Sequence, residues 1–429
     1  MKNLMVVGSG GREHALAEKL KRDKGVGTVF CAPGNGGTAL EEGLQNLAYK
    51  DFGDLARKAK DNDVDLVMVG PEAPLAEGLA DFLQEKGISV FGFDEKGARL
   101  ESSKAYAARF KQNYSVSSPD FEIFEEYDSA LSYLEEQFSR SEKRFWVKAD
   151  ELCGGKGALP AFDLEEGRRA LHELLQEKKC GLGERVVIQE HLTGEEATMQ
   201  ALTDGSSLVL LPSSQDHKQV YEGGKGPNTG GMGAYSPAPL MDEVARANFK
   251  RAVMKPTIEG LGREGLGNPG ALYFGLMVDP SGKPQVLEYN VRFGDPETQV
   301  VFRLLESDLY PLLRGAVERR LNSAAEDISW RDGAVVCVVL SVSGYPTDYG
   351  DEHLRVEGVD KAEEREGVKV YHAGTTLEDG EIYTAGGRVL NVTGYASSLA
   401  EARDLAYRAV EEIDFSGMHY RTDIAESAL

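Results

Sequence analysis

Hydrophobic positions in the first hundred residues gather into short runs separated by amphipathic stretches. Leu4–Val7, Thr28–Cys31, Leu66–Val69 and Ser89–Phe91 predict strands, and the intervening spacing predicts helices over about Glu13–Lys21, Asp54–Lys60 and Leu79–Glu85. Strands alternating with helices imply a parallel sheet with crossover connections. Ligands of such sheets sit at the carboxyl ends of the strands. Three of those ends carry loops suited to chemistry: Gly8-Ser9-Gly10-Gly11-Arg12-Glu13-His14, Pro33-Gly34-Asn35-Gly36-Gly37-Thr38 and Gly70-Pro71-Glu72.

The first of these loops resembles a dinucleotide fingerprint but lacks two of its parts. Glu13 stands where a third glycine is needed, and Cys31-Ala32-Pro33 offers no acid for a ribose. Glycines opening a helix still form an anion nest, and Arg12 adds a bidentate donor. The loop therefore reads as a binder of one phosphate, or as a tight turn with a surface arginine.

Further along, Arg144–Asp150 and Ala158–Phe162 predict two strands around Cys153-Gly154-Gly155-Lys156-Gly157. This is a hairpin flap and no P-loop, because no Ser or Thr follows Lys156 and no helix follows the turn. Such a flap can offer N–H groups to a triphosphate, and Lys148 shares a strand face with Trp146. A plain hairpin with a lysine at its tip has the same pattern. The strand Arg185–Gln189 leads into a turn, Glu190-His191-Leu192-Thr193-Gly194-Glu195-Glu196, fit for an adenine edge and a ribose diol. Gly223–Gly233 is so rich in glycine that it predicts a functional loop, neither helix nor ordinary strand.

Val286–Val291 predicts a strand, on which Glu288 and Asn290 project from one face. Two oxygen donors side by side suit a hard cation, Mg²⁺ or Mn²⁺, bridging nucleotide phosphates. An ordinary strand with a polar outer face has the same spacing. Gly294 and Pro296 end this strand and leave Arg292, Asp295 and Glu297 near one mouth. The last hundred residues predict strands at Gly333–Val342, Val368–Tyr371 and Arg388–Val392, and a capping box at Ser398–Glu401 opening a helix to about Ile413.

A chain of 429 residues is too long for one core and implies two to four domains. Its 41% hydrophobic and 28% charged residues are those of a globular protein without a membrane span, and the N-terminus predicts no leader. Net charge −23 argues against nucleic-acid or anionic-membrane partners. Any anionic substrate must then be held by local donors. Cys31, Cys153, Cys180 and Cys337 are widely spaced and predict four reduced thiols in a cytoplasmic protein. No histidine pair has zinc-site spacing, and His217 reads as a hydrogen-bonding residue.

Several longer stretches together resemble the glycinamide ribonucleotide synthetase (phosphoribosylamine–glycine ligase) family of ATP-grasp enzymes in purine biosynthesis. They are Gly8–Leu16, Ala32–Asn35, Val69–Leu75, Ser103-Lys104, Gln215-Asp216-His217-Lys218, Gly226–Tyr235, Phe293–Glu297 and Tyr420–Ile424. The resemblance implies an N-terminal parallel α/β domain over 1–101 and an ATP-grasp core over 102–325. A flap subdomain would lie near 122–188, and a small α+β domain over 326–429. Lys104 and Lys148 would contact phosphates, with Gly154, Gly155, Lys156 and Gly157 over the β/γ end and Lys156 acting on the transferring group. Gln189 and the backbone of Glu190 and Leu192 would bind adenine, Glu196 the ribose, and Glu288 with Asn290 the metal. Gly10, Gly11, Arg12 and Asn35 would face phosphoribosylamine; Asp216 and Arg292 would face glycine, with Asp295 a further substrate contact.

Two departures stand out. Glu151 replaces a glycine of the family's usual Ala-Asp-Gly-Leu-Ala-Ala-Gly-Lys-Gly flap, removing backbone freedom and adding negative charge near a triphosphate. Gln189 stands where the family usually carries glutamate. The implied reaction converts glycine to glycyl phosphate with ATP, after which the amine of phosphoribosylamine displaces phosphate. No side-chain nucleophile is required, and no Ser/His/Asp or Cys/His arrangement is present. The resemblance further implies transient contact with the enzyme that supplies phosphoribosylamine. Other ATP-grasp carboxylate–amine ligases, or a non-catalytic nucleotide-binding regulator, share the nucleotide half of these features.

Overall fold

The structure is a computed structural model and describes residues 1–154, 156–350 and 353–429. Leu4, Met5, Val6 and Val7 are all fully buried, as the centre of a parallel sheet covered on both faces requires. They belong to β1 (Lys2–Gly8), which is followed by β2 (Val26–Pro33), β3 (Leu44–Asn46), β4 (Val64–Val69) and β5 (Val90–Phe91). The sheet order is β3-β2-β1-β4-β5 and every pair is parallel. The crossover helices Gly11–Lys21, Phe52–Asp61 and Leu79–Glu85 fall where the spacing placed them. The loop after β2 differs, because Gly36–Leu40 is a short helix. Asn35 caps it by accepting a hydrogen bond from the Thr38 amide at 3.0 Å.

The middle of the chain builds two antiparallel sheets. β6 (Phe121–Phe124), β7 (Phe145–Ala149), β8 (Ala158–Ala161) and β9 (Val186–Glu190) form the first, in the order β6-β9-β7-β8. Ala130, Leu134 and Leu171 from its covering helices are fully buried beneath it. The β7–β8 hairpin expected from sequence is present, with Lys148 paired to Ala158.

Next come β10 (Glu195–Thr203), β11 (Leu208–Leu210), β12 (Gln215–Asp216), β13 (Gln219–Tyr221), β14 (Lys225–Asn228), β15 (Gly233–Ser236), β16 (Gly270–Val278) and β17 (Pro284–Asn290). The second sheet runs β11-β10-β16-β17. Neither β10 nor β16 is among the expected strands. Both are buried on their two faces, so they lack the alternation that marks a strand. The glycine-rich stretch is also a correction, since it contains β14, which forms a hairpin with β13 just before it. Glu222, Gly223 and Gly224 make its three-residue turn, the two glycines both at φ 66°, a geometry that favours glycine.

The sheet nearest the C-terminus takes strands from two parts of the chain. After β18 (Ala334–Ser341), β19 (Arg355–Val356), β20 (Val368–His372), β21 (Thr375–Glu378), β22 (Glu381–Thr384) and β23 (Arg388–Ala396), its order is β12-β15-β18-β23-β20. The helix Leu399–Val410 covers it, capped by Ser398 as expected. No helix among the described residues is long and apolar enough to cross a membrane.

Two of the four cysteines depart from expectation. Cys153 and Cys180 form a disulfide with Cα atoms 5.7 Å apart, while Cys31 and Cys337 are free and buried. The hairpin and the chain's return toward β9 bring the first pair together, which a separation of 27 residues hides.

One core runs from the N-terminal sheet to the back of β17, through Met5, Phe93, Phe110, Phe249, Phe274 and Tyr289. Phe274 sits at its centre, with ring centroids 5.1 Å from Phe249 and 5.5 Å from Tyr289. Its removal would leave a cavity directly behind the strand that carries Glu288. We expect Phe274→Ala to lower unfolding free energy by about 3–5 kcal/mol in urea denaturation. A loss near zero would mean that this aromatic cluster does not support β17.

Candidate active site

β17 carries Glu288 opposite Gly275 and Asn290 opposite Tyr273, one step from a register shift at Leu276. Lys111 stands behind that irregularity and donates to the carbonyls of Val286 and Leu287 at 3.1 and 3.2 Å. Carbonyls displaced from the ladder are thereby satisfied. Burial pushes the Lys111 ammonium down to about 7, with Lys148 adding to the effect.

Glu288 faces three lysines. Lys218 Nζ lies 3.8 Å from Glu288 and 2.8 Å from Glu196, so one ammonium spans two carboxylates from neighbouring strands. Burial alone would raise the Glu288 carboxyl, yet Lys218, Lys148, Lys104 and Arg292 overcome it and hold it down at about 2. Its side chain keeps 40% of its exposure, so the charged group remains open to a ligand. Lys148 on β7 donates to Gln189 Oε1 at 3.1 Å, and Lys104 donates to the Glu151 carbonyl at 3.1 Å. Burial lowers the Lys148 ammonium to about 8. Asp216 is raised to about 7 by burial, against the pull of Lys218 and with Glu297, Glu196 and Glu288 adding to the rise.

This arrangement brings together Lys104, Lys148, Gln189, Glu196, Asp216 and Glu288, which are remote in sequence. Asn290 is half-buried beside them. The donor set fits a hard cation: an ionised, open carboxylate and an amide oxygen share a strand face, and an ammonium already rests against the carboxylate. Among the described residues no group of three or more His, Cys, Asp or Glu converges to hold a metal. A cation here would draw its remaining ligands from phosphate and water. In the turn after β9, no hydrogen bond engages the Leu192 backbone among the described residues, while the Glu190 amide bonds Asp120 and its carboxylate pairs with Lys143. At the hairpin tip Gly154 and Lys156 are exposed, and Gly157 is buried with its carbonyl bonded to the Ala149 amide. Gly155 lies outside the described residues.

The remaining candidates meet at the ends of β1 and β4. Arg12 and Asn35 are buried and already engaged. Arg12 pairs with Glu13 and donates to the Phe293 carbonyl at 3.2 Å. Glu13 also takes the Gly10 amide at 2.6 Å, and a Cβ on Gly11 would collide with Asn391 and Gln299. Asn35 donates to the carbonyls of Ser9 and His372 at 2.9 and 2.8 Å. Arg292 donates to Glu72 at 3.2 Å, Glu101 at 3.1 Å and the Phe293 carbonyl at 3.1 Å. Asp295 bonds Gln299 at 2.7 Å and Arg388 at 3.1 Å. Burial would raise the Asp295 carboxyl, but Arg388 and Arg12 hold it down.

Five residues of this network escape a reading of the sequence for site residues. Lys218 had a signal, sitting two positions after Asp216. Glu72 had one in its Gly-Pro-Glu turn, and Arg388 in its glycine pair. Glu101 and Lys111 had none, since each is a charged residue on an unremarkable helix.

The comparisons agree with this geometry. Residues 2–101, 102–298 and 335–427 match the N domain, ATP-grasp (A) domain and C domain models of phosphoribosylglycinamide synthetase. The chain belongs to the phosphoribosylglycinamide synthetase family. It is 40% identical to the phosphoribosylamine–glycine ligase of Clostridium acetobutylicum over 99% of both chains. It is 44% identical to that of Allochromatium vinosum, over 99% of this chain and 98% of the relative. The crystal structure of the Thermotoga maritima phosphoribosylamine–glycine ligase superimposes with TM-score 0.84 at 32% identity, covering 99% of this chain and all of that one. A biotin carboxylase complex from Campylobacter jejuni shares the fold alone, at TM-score 0.70 and 14% identity over 98% of this chain and 93% of that one.

Within this family member, Glu101 allows a test of the buried charges. It accepts the Val291 amide at 2.8 Å, and burial raises its carboxyl from 4.5 to about 7 despite the opposing pull of Arg292. Between those values the folded chain holds a proton that the unfolded chain has lost. The group's contribution to stability is therefore full below about pH 4.5 and declines as pH rises to 7. We expect Glu101→Gln to flatten the fall of Tm across that window. An unchanged Tm profile would mean that Glu101 is ionised throughout.

Proposed function

We propose that this chain joins glycine to 5-phosphoribosylamine, consuming ATP and giving glycinamide ribonucleotide, ADP and phosphate in purine biosynthesis. The observation that carries the reading is the convergence of Lys104, Lys148 and Lys218 on Glu288 at the face of β17. A glycine carboxylate is a poor electrophile, and anion must meet anion when it attacks the γ-phosphate. Fixed ammonium groups lower that repulsion without reorganising during the step. The carboxylate oxygen displaces ADP and gives glycyl phosphate. The amine of phosphoribosylamine then attacks the carbonyl carbon, phosphate leaves, and the amine loses a proton.

The reading assigns these residue roles. Lys104 and Lys148 hold phosphates, with Gly154, Gly157 and Lys156 covering the β/γ end. Leu192 and Glu190 offer backbone groups to adenine beside Gln189, and Glu196 turns to the ribose once Lys218 is drawn to phosphate. Asp216 and Arg292 orient glycine; Gly10, Gly11, Arg12, Asn35 and Asp295 shape the phosphoribosylamine mouth. Glu288 and Asn290 would hold Mg²⁺ or Mn²⁺, which supplies charge neutralisation between the β- and γ-phosphates. We also read the chain as three functional parts, 1–101, 102–325 with a flap subdomain near 122–188, and 326–429. It would work in the cytoplasm, in transient contact with the enzyme supplying its labile amine.

A phosphate-release assay with ATP, glycine and freshly generated phosphoribosylamine tests this reading. Phosphate should appear only with all three present, and bicarbonate or alanine in place of glycine should give none. Release with another acid in preference to glycine would contradict it. Glu288→Gln should weaken the apparent Mg²⁺ affinity in that assay by roughly 10–100-fold or more, judged from the effect of lesser changes around metal sites. An unaltered Mg²⁺ dependence would remove Glu288 from the metal.

A further inference from the structure

Glu151 and Cys153 both reach one loop on the far side of the hairpin. Glu151 Oε1 accepts the Leu182 amide at 2.6 Å, and a Cβ on Gly181 would collide with the same carboxylate. Cys153 is bonded to Cys180, with Cα atoms 5.7 Å apart. Cys180 is buried in the core of the flap sheet, while Cys153 packs half-buried against that core. Only glycine fits at 157, since a Cβ there would lie 2.5 Å from Cys153 Sγ and 3.0 Å from Cys180 Sγ. The same arc is wired to the phosphate-facing lysines. Lys104 donates to the Glu151 carbonyl, and the Lys156 amide donates to the Cys153 carbonyl at 3.0 Å.

We propose that Cys153 and Cys180 are a redox-modifiable pair whose state governs ATP turnover by fixing or releasing residues 151–153 at the 180–182 loop. The inference rests on the reading that this hairpin covers the nucleotide. In the disulfide form a covalent link closes 27 residues and ties the arc to its own core. In the dithiol form the Glu151–Leu182 hydrogen bond remains as the polar tie, and a bound triphosphate can compete with it. A peroxide is a sufficient oxidant. Cys153, the more accessible sulfur, is oxidised to a sulfenic acid with release of one water; the Cys180 thiol displaces the second water and forms the S–S bond. A small dithiol reverses this by exchange, its first thiolate attacking one sulfur and its second thiol releasing both cysteines.

The test uses the full chain treated with hydrogen peroxide or with dithiothreitol. Denatured thiol counts should be two after peroxide and four after dithiothreitol. Amide exchange over 149–154 should slow on adding Mg²⁺ and a non-hydrolysable ATP analogue in the reduced chain, and should not respond in the oxidised chain. Glycine-dependent phosphate release should fall by roughly fivefold or more on oxidation, the lower end of ordinary coupling between sites, and return with dithiothreitol. Cys180→Ala should keep the reduced rate under either treatment. Four thiols after peroxide, equal rates in the two states, or an equal loss in Cys180→Ala would each overturn the proposal. If the reduced chain also shows no response to nucleotide, the flap reading fails and takes the proposal with it; a response in both states sinks the redox control alone.

Discussion

Everything at the proposed nucleotide site depends on keeping the Glu288 carboxylate ionised among cations. Glu288 is surrounded by Lys104, Lys148, Lys218 and Arg292, and their combined field outweighs the cost of removing it from water. The lysines come from a helix, from the flap sheet and from the segment between β12 and β13, while Glu288 comes from β17. The fold therefore has to bring two sheets face to face before the charge balance exists at all. In a chain of net charge −23 these clustered cations are the local donors on which an anionic substrate would depend.

The same logic extends from β17 into the N-terminal sheet. Arg292 lies two residues beyond Asn290 and pairs with Glu72 and Glu101, while Arg12 pairs with Glu13 and Arg388 with Asp295. Removing one partner from such a pair leaves an unpaired buried charge, so each pair restrains the position of the other elements. Arg388 also bonds the carbonyls of Gly230 and Gly231, tying the glycine-rich segment to Asp295. On the proposed reading phosphoribosylamine at this mouth displaces existing partners, and Glu13, which holds the Gly10 amide, is the carboxylate that its phosphate would replace.

Much of this was legible in the sequence because it rests on local rules. The parallel sheet follows from apolar runs alternating with helices, the flap from two strands around glycines, and the Glu288–Asn290 pair from a spacing of two. What was not legible is long-range. β10 and β16 are buried on both faces and carry no alternation. Lys111 and Glu101 act through backbone atoms 175 and 190 residues away. The disulfide was missed because a loop return, and no spacing rule, places Cys180 beside Cys153. Arg12 and Asn35 suggested ligand contacts by residue type, and what their type did not reveal is that their hydrogen bonds also hold loops together.

The central claim is that these cations serve the attack of glycine's carboxylate on ATP. Glycine labelled with ¹⁸O in both carboxylate oxygens tests it directly, by mass analysis of the phosphate released in the complete reaction. If the carboxylate is phosphorylated and then displaced by the amine, the bridging oxygen leaves with phosphorus, and each phosphate carries one ¹⁸O. Glycinamide ribonucleotide formed while the phosphate carries no label and the lost ¹⁸O appears in water would contradict the account.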